Sequence, residues 1–255
     1  MTDSLSLANR HVVISGGGTG VGAEITRRCR AAGASVTILG RRKKPLDDVA
    51  AKTGAMALVC DVTDQAAVIA SLAEACAAQG PVAVAVANAG AAESTPFHKM
   101  SADHFNQSIA VNLNGVFHLW QAALPAMKQA QWGRLIVIAS TAGLKGYPYV
   151  SSYCAAKHGV VGLTRALAQE LGKGAITANA VCPGYIETPL LQRSIDKITS
   201  QTQLTADQAA SSLLAANPQQ RFIKTSEVAG SVLYLCSDDA GSINGHTLTL
   251  SGGEV

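Results

Sequence analysis

Residues 11–22 of the 255-residue chain read HVVISGGGTGVG, and this stretch decides the fold. Residues 11–15 form a short β-prone run, the glycine-rich segment 16–22 follows at once, and a helix-like pattern continues to about Ala32. Glycines let the backbone approach a pyrophosphate, and the start of the helix offers free N–H groups. The order of strand, glycine turn and helix therefore predicts a phosphate site. Because such a turn also occurs without a ligand, the assignment needs a second feature.

The second feature is a serine, a tyrosine and a lysine in the middle of the chain. Ser140 ends the apolar run 135–139, which reads as a buried strand, so Ser140 is expected at the sheet edge where ligands bind. Tyr153 and Lys157 follow, four residues apart, at the start of a long helical pattern. Helical spacing places them on one face, where the ammonium is expected to lower the pKa of the phenol. These residues predict a proton donor and acceptor usable near neutral pH.

Seven apolar runs alternate with helix-like stretches along the chain. This alternation predicts an α/β fold with a doubly wound parallel sheet of about seven strands and helices on both faces. With 48% hydrophobic and 15% charged residues, the chain has enough apolar material for one large core, so we expect a single domain over residues 1–255. The strand candidates lie near residues 11–15, 35–39, 56–60, 82–87, 134–139, 176–182 and 246–250.

The order and spacing of these motifs resemble the short-chain dehydrogenase/reductase family over about residues 8–253. Two departures from the family pattern occur, because Ala87 stands where the family usually has asparagine and Ser15 replaces a common threonine. The resemblance implies a Rossmann-like fold in which a nicotinamide cofactor exchanges hydride with a small carbonyl or alcohol substrate. The matching residues are Gly16, Gly20, Gly22, Asp61, Val62, Asn88, Ala89, Gly90, Asn112, Ser140, Tyr153, Lys157, Pro183 and Gly184.

The resemblance also implies roles for four catalytic residues. Tyr153 would give a proton to the substrate oxygen as hydride reaches the carbonyl carbon, and Ser140 would hydrogen-bond that oxygen. Lys157 would lower the pKa of the phenol and hold a ribose hydroxyl of the cofactor. Asn112 would support a water-mediated proton relay. The alternative for Asn112 is a buried asparagine that satisfies a break in a helix.

The choice of cofactor is read from the end of the second predicted strand. Gly40, Arg41 and Arg42 stand where family members that use NAD usually place an acid for the adenosine ribose hydroxyls. Gly40 leaves room for a 2′-phosphate, which Arg41 or Arg42 would bind through charge-assisted hydrogen bonds. We therefore expect NADP(H). NAD(H) is the alternative, in which the arginines belong to a solvated basic loop with Lys43 and Lys44.

The other cofactor contacts implied by the resemblance lie mostly at predicted strand ends. Asp61 would contact the adenine amino group, or it would cap a helix ahead of Thr63 and Asp64. Asn88 would line the cofactor channel, or it would be a turn residue. The full predicted set is Ser15, Gly16, Thr19, Gly20, Val21, Gly22, Arg41, Arg42, Asp61, Val62, Asn88, Ala89, Gly90, Tyr153, Lys157, Pro183, Gly184, Ile186 and Thr188.

The substrate is predicted from the helix-prone segment at about residues 188–218, which resembles the family's substrate lid. The lid and the tail resemble those of D-3-hydroxybutyrate dehydrogenases, which bind a free carboxylate with polar side chains. This chain has Ala91-Ala92 and Thr141-Ala142 at those places. We therefore expect a 3-oxoacyl or 3-hydroxyacyl thioester such as an acyl-CoA, ahead of free acetoacetate or an unrelated ketone or alcohol. Tyr147 and Tyr149 are predicted to be pocket wall or core.

Charge, cysteine spacing and polar residues argue against several other classes of protein. The net charge of +3 and the scattered basic residues do not indicate a nucleic-acid surface. Six cysteines without a Cys-x-x-Cys pair and six histidines without a His-Glu-x-x-His pattern do not indicate a metal site. The uncharged stretches 75–92 and 105–127 contain proline, asparagine and glutamine, which favours core over membrane spans. Reduced thiols and the lack of a signal peptide predict a cytoplasmic location.

Two other classes share the predicted fold. Dinucleotide-binding redox sensors often lose the tyrosine or the lysine, whereas this chain has both Tyr153 and Lys157. Sugar epimerases of the extended type are usually longer and carry a separate C-terminal domain, whereas this sequence stops at Val255. We therefore expect an enzyme of the shorter type. The resemblance further implies a homotetramer, with one interface from helices at about 101–130 and 151–172 and another from the last strand and helix.

Overall fold

A computed structural model describes residues 5–255 of the chain. Its seven strands form one parallel sheet in the order β3-β2-β1-β4-β5-β6-β7. Each strand coincides with a predicted one to within one or two residues, and the predicted α/β class is confirmed. The strands are β1 (His11–Ser15), β2 (Ser35–Gly40), β3 (Met56–Val59), β4 (Val82–Ala87), β5 (Gly133–Ile138), β6 (Ile176–Pro183) and β7 (Thr247–Leu250).

Helices cover both faces of the sheet. Because successive side chains of a strand point to opposite faces, Val12 and Ile14 of β1 lie in one apolar core and Val13 lies in the other. The first core includes residues of α1 and α9, and the second includes residues of α3, α5 and α6. The helices are α1 (Gly20–Ala31), α2 (Lys43–Thr53), α3 (Gln65–Gln79), α4 (Ala102–Ile109), α5 (Gly115–Ala130), α6 (Ser151–Leu171), α7 (Pro189–Gln201), α8 (Ala206–Leu214) and α9 (Thr225–Cys236).

The strand order reverses direction at β1. The chain runs from β1 outward through β2 to β3 and then returns to place β4 on the other side of β1. At such a switch point the loops after the two central strands diverge and leave a crevice at their carboxyl ends. The glycine-rich turn after β1 and the segment after β4 therefore face the same crevice.

The predicted lid consists of two helices between β6 and α9. α7 and α8 pack on one another around Leu191, Ile195 and Ala209, in a small apolar cluster separate from the two sheet cores. The assignment of residues 188–218 as a substrate lid stays a prediction. Among the helices of residues 5–255, none has the length and apolar character that crossing a bilayer requires.

Candidate active site

The glycine-rich turn needs its glycines for backbone conformation and for close approach. Gly16 and Gly20 have φ angles of +67° and +54°, a region that favours glycine. A Cβ on Gly22 would lie 2.2 Å from the carbonyl oxygen of Gly16, so only glycine lets α1 begin this close to the turn. Within the described part of the chain, Thr19 precedes α1 without capping it through its side chain. The first amides of α1 are therefore available to an anion.

Asn88 and Ser15 fasten the glycine turn to the end of β4. The backbone amides of Asn88 and Ala89 both donate to Ser15 Oγ at 3.0 Å. The Asn88 side-chain amide donates to the carbonyl oxygens of Ser15 and Gly16, at 3.0 and 3.1 Å. Ser15, which stands where the family commonly has threonine, thus keeps a side-chain hydroxyl that accepts both bonds. Asn88 acts as a turn residue here, and its contact with a cofactor stays a prediction.

The structure brings Ser140, Tyr153 and Lys157 together at the carboxyl end of the sheet. Ser140 lies two residues beyond the end of β5, and the other two residues lie in the first two turns of α6. Lys157 Nζ lies 5.5 Å from the centre of the Tyr153 ring. The same ammonium donates a 2.8 Å hydrogen bond to the carbonyl oxygen of Ile138, the last residue of β5. The serine-tyrosine-lysine constellation expected from the sequence is therefore present.

Burial shifts the pKa values of Tyr153 and Lys157 in opposite directions, because it disfavours the charged form of each side chain. Although Tyr153 keeps some exposure, burial raises the pKa of its phenol to about 12, and a hydrogen bond with Ser140 acts in the opposite direction. Burial lowers the pKa of Lys157 to about 8. The prediction that Lys157 lowers the pKa of Tyr153 is wrong for this arrangement. Burial is the largest cause of the raised pKa of Tyr153, and the ammonium of Lys157 is bonded to a main-chain carbonyl.

Asn112 is fully buried in a π-helical turn, Ala110–Asn114, between α4 and α5. Its side-chain amide donates to the carbonyl oxygens of Ala91 and Ser108, at 2.9 and 3.0 Å, and its Oδ1 accepts from the amide of Ala91 at 3.2 Å. A Cβ on Gly90 would lie 2.9 Å from Asn112 Oδ1 and 3.8 Å from Lys157 Nζ. These bonds match the helix-break alternative, and the proton relay stays a prediction.

Asp61 lies between β3 and α3 and does not cap the helix, and its contact with adenine stays a prediction. Its Oδ1 accepts from the amide and hydroxyl of Thr63, at 2.9 and 2.8 Å. The cap of α3 is Asp64, whose side chain accepts from the amide of Ala67 at 3.1 Å. Asp61 Oδ2 lies 3.9 Å from Arg41 Nη1, in a solvent-exposed ion pair. The acid and the arginine expected to contact the adenosine end of the cofactor are therefore neighbours.

The four basic residues after β2 divide between a short connection, Arg41 and Arg42, and the first turn of α2, Lys43 and Lys44. Arg42 is the N-cap of α2, and Lys43 begins the helix. Lys43 pairs with Asp47 at 3.0 Å, and Lys44 pairs with Asp48 at 3.1 Å, each one turn along α2. The solvated-loop alternative is therefore wrong for the lysines, because both lie in the first helical turn with acidic partners.

The segment after β6 reaches back to the glycine turn. Ile186 pairs with Ile223 in a short parallel bridge, which anchors residues 183–188. A Cβ on Gly20 would lie 3.3 Å from Thr188 Cγ2. The segment thus runs from the end of β6 to the start of α1, and the contact of Pro183, Gly184, Ile186 and Thr188 with a nicotinamide stays a prediction.

A second polar cluster beside Ser140 was missed by sequence reasoning. Tyr147 Oη lies 2.7 Å from Thr141 Oγ1 and 2.6 Å from Glu254 Oε1. Lys145 Nζ lies 2.8 Å from the same oxygen of Glu254. No local motif relates Tyr147 to a residue 107 positions further along the chain, so only the folded structure reveals the contact. The prediction of a core position is wrong for Tyr149, which is 62% exposed, whereas Tyr147 is partly buried and its place in a pocket wall stays a prediction.

The lid also contacts the loop after β4. Lys197 of α7 donates a hydrogen bond to the carbonyl oxygen of Ser94. The next residue, Thr95, donates its amide to the carbonyl oxygen of Tyr149 at 2.7 Å. Three segments that follow β4, β5 and β6 are thereby joined. Sequence patterns carry no signal for contacts whose acceptors are main-chain carbonyls.

Comparison with known proteins gives a consistent result. The family model described as short chain dehydrogenase matches residues 10–199. A D-beta-hydroxybutyrate dehydrogenase of Rhizobium meliloti (strain 1021) is 34% identical over 249 residues, which cover 94% of this chain and 96% of that protein. A 3-oxoacyl-[acyl-carrier-protein] reductase, MabA, of Mycobacterium avium is 34% identical, with 97% and 91% covered. An acetoacetyl-CoA reductase of Shinella zoogloeoides is also 34% identical, with 96% and 98% covered.

Solved structures agree over the whole chain. A levodione reductase superposes with a TM-score of 0.92 at 32% identity, covering 97% of this chain and 98% of that chain. An actinorhodin polyketide ketoreductase variant, solved with NADPH, superposes with a TM-score of 0.93 at 31% identity, covering 100% and 99%.

Proposed function

Because the chain belongs to the short-chain dehydrogenase family, we propose that Ser140, Tyr153 and Lys157 carry out its reaction. The protein is an NAD(P)-dependent oxidoreductase that interconverts a ketone and a secondary alcohol. The observation that carries the residue assignment is the meeting of the three side chains at the carboxyl end of the sheet, beside the glycine turn. Their individual roles follow from their positions and from their pKa values.

Tyr153 is the proton donor of the proposed reductive reaction. With a pKa of about 12, the phenol keeps its proton at neutral pH and can give it to the substrate oxygen. Ser140, next to the phenol, hydrogen-bonds the same oxygen and holds the carbonyl in place. Lys157 is already fixed to Ile138, and we assign it to a ribose hydroxyl of the cofactor. Asn112 would complete the path by which the phenol regains its proton.

The residues of the crevice fit a dinucleotide. A Cβ on Gly16 would lie 2.9 Å from Ala89 Cα, so the glycines leave a cradle that a side chain would fill. The uncapped start of α1 favours a pyrophosphate there. The cofactor supplies or accepts the hydride when it is bound. Ser15, Thr19, Val21, Val62 and the loop 183–188 are assigned with the glycines to the walls of this cradle.

NADP(H) is the proposed preference at the adenosine end. Gly18 brings the turn against the start of α2, since a Cβ there would lie 3.2 Å from the backbone of Pro45. Arg41 and Arg42 precede that helix, where the positive end of the helix dipole adds to their charge. The side chain of Arg41 is 64% exposed and its ion pair with Asp61 is long, so the guanidinium is free to turn toward a 2′-phosphate. The ketoreductase structure solved with NADPH supports this preference.

Replacement of Arg41 by alanine tests the cofactor preference. We expect KM for NADPH to rise about tenfold or more, the effect of losing one charge-assisted hydrogen bond, while KM for NADH changes little. The Arg42→Ala variant shows which guanidinium binds the phosphate. The Lys44→Ala variant is the control, because it removes one positive charge from the first turn of α2, close to Arg41 in the sequence. It is expected to leave the KM values for NADPH and NADH near those of the wild type. Equal affinity for both cofactors, unchanged in Arg41→Ala, would remove the argument.

A 3-oxoacyl thioester is the proposed substrate class. The acetoacetyl-CoA and 3-oxoacyl-[acyl-carrier-protein] reductases among the relatives support it. Ala91 and Ala92 offer no side-chain donors, and the hydroxyl of Thr141 is already bonded to Tyr147. A free 3-oxo or 3-hydroxy acid remains the second candidate, favoured by the hydroxybutyrate dehydrogenase among the relatives.

The experiment that tests the substrate class compares kcat/KM for acetoacetyl-CoA, acetoacetate and a simple ketone. Turnover of the ketone without turnover of the thioester would overturn the substrate class.

A homotetramer in the cytoplasm is the proposed state of the protein. Phe105 of α4 and Phe117 of α5 are exposed, within one of the segments assigned to an interface. We expect sedimentation at micromolar concentration to give the mass of four chains, and a stable monomer would contradict the assembly.

All six cysteines are unpaired within residues 5–255, which supports a reducing compartment. Cell fractionation tests that location.

A further inference from the structure

The carboxylate of Glu254 is buried among groups that bind it. Its side chain is 5% exposed, and Oε1 lies 2.8 Å from Lys145 Nζ and 2.6 Å from Tyr147 Oη. A carboxylate is costly to bury unless a cation and hydrogen-bond donors surround it. Lys145 and Tyr147 supply both. The site has the chemistry that any carboxylate would need.

A short chain of hydrogen bonds connects this carboxylate to Thr141, the residue that follows the proposed catalytic serine. The Tyr147 phenol has one proton, and it donates this proton to Glu254 because a carboxylate is the stronger acceptor. The Thr141 hydroxyl, 2.7 Å away, then donates to the phenol oxygen. Burial and the bond to Glu254 raise the pKa of Tyr147, so the phenol stays a donor. Since Thr141 directly follows Ser140, this chain of hydrogen bonds ends one residue from the proposed catalytic serine.

The same carboxylate also faces the loop after β6. A Cβ on Gly184 would lie 3.5 Å from Glu254 Oε2. Gly184 directly follows Pro183, where the proposed nicotinamide-facing loop begins. Glu254 therefore lies between the wall that carries Thr141 and Tyr147 and the loop that borders the cofactor crevice.

The backbone of the tail is shaped to place Glu254 there. Gly252 and Gly253 have φ angles of +64° and +95°. A Cβ on Gly252 would lie 2.2 Å from Asn217 Oδ1, and a Cβ on Gly253 would lie 3.3 Å from Pro218. Asn217 and Pro218 follow α8 at the end of the lid segment. The tail that carries Glu254 is thus packed against the base of the lid.

From these contacts we propose that Lys145, Tyr147 and Thr141 form a carboxylate subsite that Glu254 itself occupies. A substrate with a free carboxylate must displace Glu254 to use these donors, whereas a thioester needs no such displacement. Glu254 is then a specificity-determining residue that favours masked acids over free ones. This inference deepens the proposed function and rests on it for the identity of the substrate, but the existence of the subsite is testable without turnover.

Acetate binding tests the subsite directly. In Glu254→Ala the donors lose their internal partner, so acetate should bind and raise the Tm saturably by about 2–4 °C, relative to chloride at equal ionic strength. The wild type, Glu254→Gln and the double variant Glu254→Ala/Lys145→Ala should show no saturable shift. In the first two the subsite stays filled, and in the third the cation is gone. Absence of the shift in Glu254→Ala, or an equal shift in the double variant, would overturn the proposal.

Turnover gives the second readout, with two substrates that differ in one group. The ratio of kcat/KM for acetoacetate to that for methyl acetoacetate should rise about tenfold in Glu254→Ala and stay near the wild-type ratio in Glu254→Gln. An equal rise in Glu254→Gln would show that charge and not occupancy excludes the free acid, and would overturn the proposal. If acetoacetyl-CoA is not reduced by the wild type, the substrate class fails, while the acetate experiment still decides the subsite.

Discussion

Replacing Tyr153 by phenylalanine is expected to lower kcat by about a thousandfold, the range of a positioned proton donor. The phenol is the group beside Ser140 that holds a proton at neutral pH, since burial raises its pKa to about 12. Phenylalanine keeps the ring and removes only the hydroxyl. Steady-state kinetics with NADPH and acetoacetyl-CoA measure the loss, and quenching of NADPH fluorescence measures cofactor binding in the same variant.

Tyr149→Phe is the matched control for this variant. Tyr149 lies four residues earlier, is 62% exposed, and loses the same single atom. Its kcat is expected to stay within about twofold of the wild type, because Tyr149 is exposed and is not one of the residues assigned to the reaction. If Tyr153→Phe bound NADPH normally and kept most of the wild-type activity, Tyr153 would not be the proton donor.

Replacing Gly22 by alanine is expected to abolish cofactor binding and to destabilise the fold. The new Cβ would lie 2.2 Å from the carbonyl oxygen of Gly16 and 2.6 Å from Asn88 Nδ2, and backbone cannot yield as a flexible side chain can. Overpacking of this kind costs about 1–3 kcal/mol of stability. A shift of α1 away from the glycine turn would also displace the backbone amides that are assigned to bind the pyrophosphate. Urea unfolding and NADPH titration measure the two effects.

Gly162→Ala separates a local clash from a general effect of alanine in a helix. Gly162 lies in α6, and a Cβ there would meet no atom within 4 Å among the described residues. Alanine should therefore stabilise the helix by up to about 1 kcal/mol and leave NADPH binding unchanged. Normal stability and normal NADPH affinity in Gly22→Ala would contradict the close approach of α1 to the glycine turn.

The sheet could be predicted from the sequence because its five inner strands are mainly buried, with helices on both faces. Runs such as residues 82–87 and 135–139 are apolar without interruption, and the helices between the strands leave few possible topologies. The positions of Ser140 and Tyr153 follow from the same reasoning, since one ends a strand and the other begins a helix. Local sequence patterns are therefore enough to predict the sheet and the residues that follow its strands.

Electrostatics of the site could not be predicted in the same way. Helical spacing correctly indicates that Lys157 lies near Tyr153, but the pKa of the phenol depends on desolvation and on which group the ammonium binds. The sequence gives no indication that Lys157 is directed to the carbonyl of Ile138. The cluster around Glu254 was missed for a related reason, because Lys145 and Glu254 meet only after the last strand and the tail have folded.

Transfer of deuterium from labelled cofactor distinguishes a reductase from the other classes that share this fold. A redox sensor would bind NADPH without turnover, and an epimerase would return the hydride to the cofactor without net oxidation. We would incubate the enzyme with acetoacetyl-CoA and NADPH deuterated at the transferable position of C4, and examine the product by mass spectrometry. We expect one deuterium at the former carbonyl carbon of 3-hydroxybutyryl-CoA for each NADPH oxidised. An unlabelled thioester with no net loss of NADPH, despite normal cofactor binding, would contradict the proposed reduction of a 3-oxoacyl thioester.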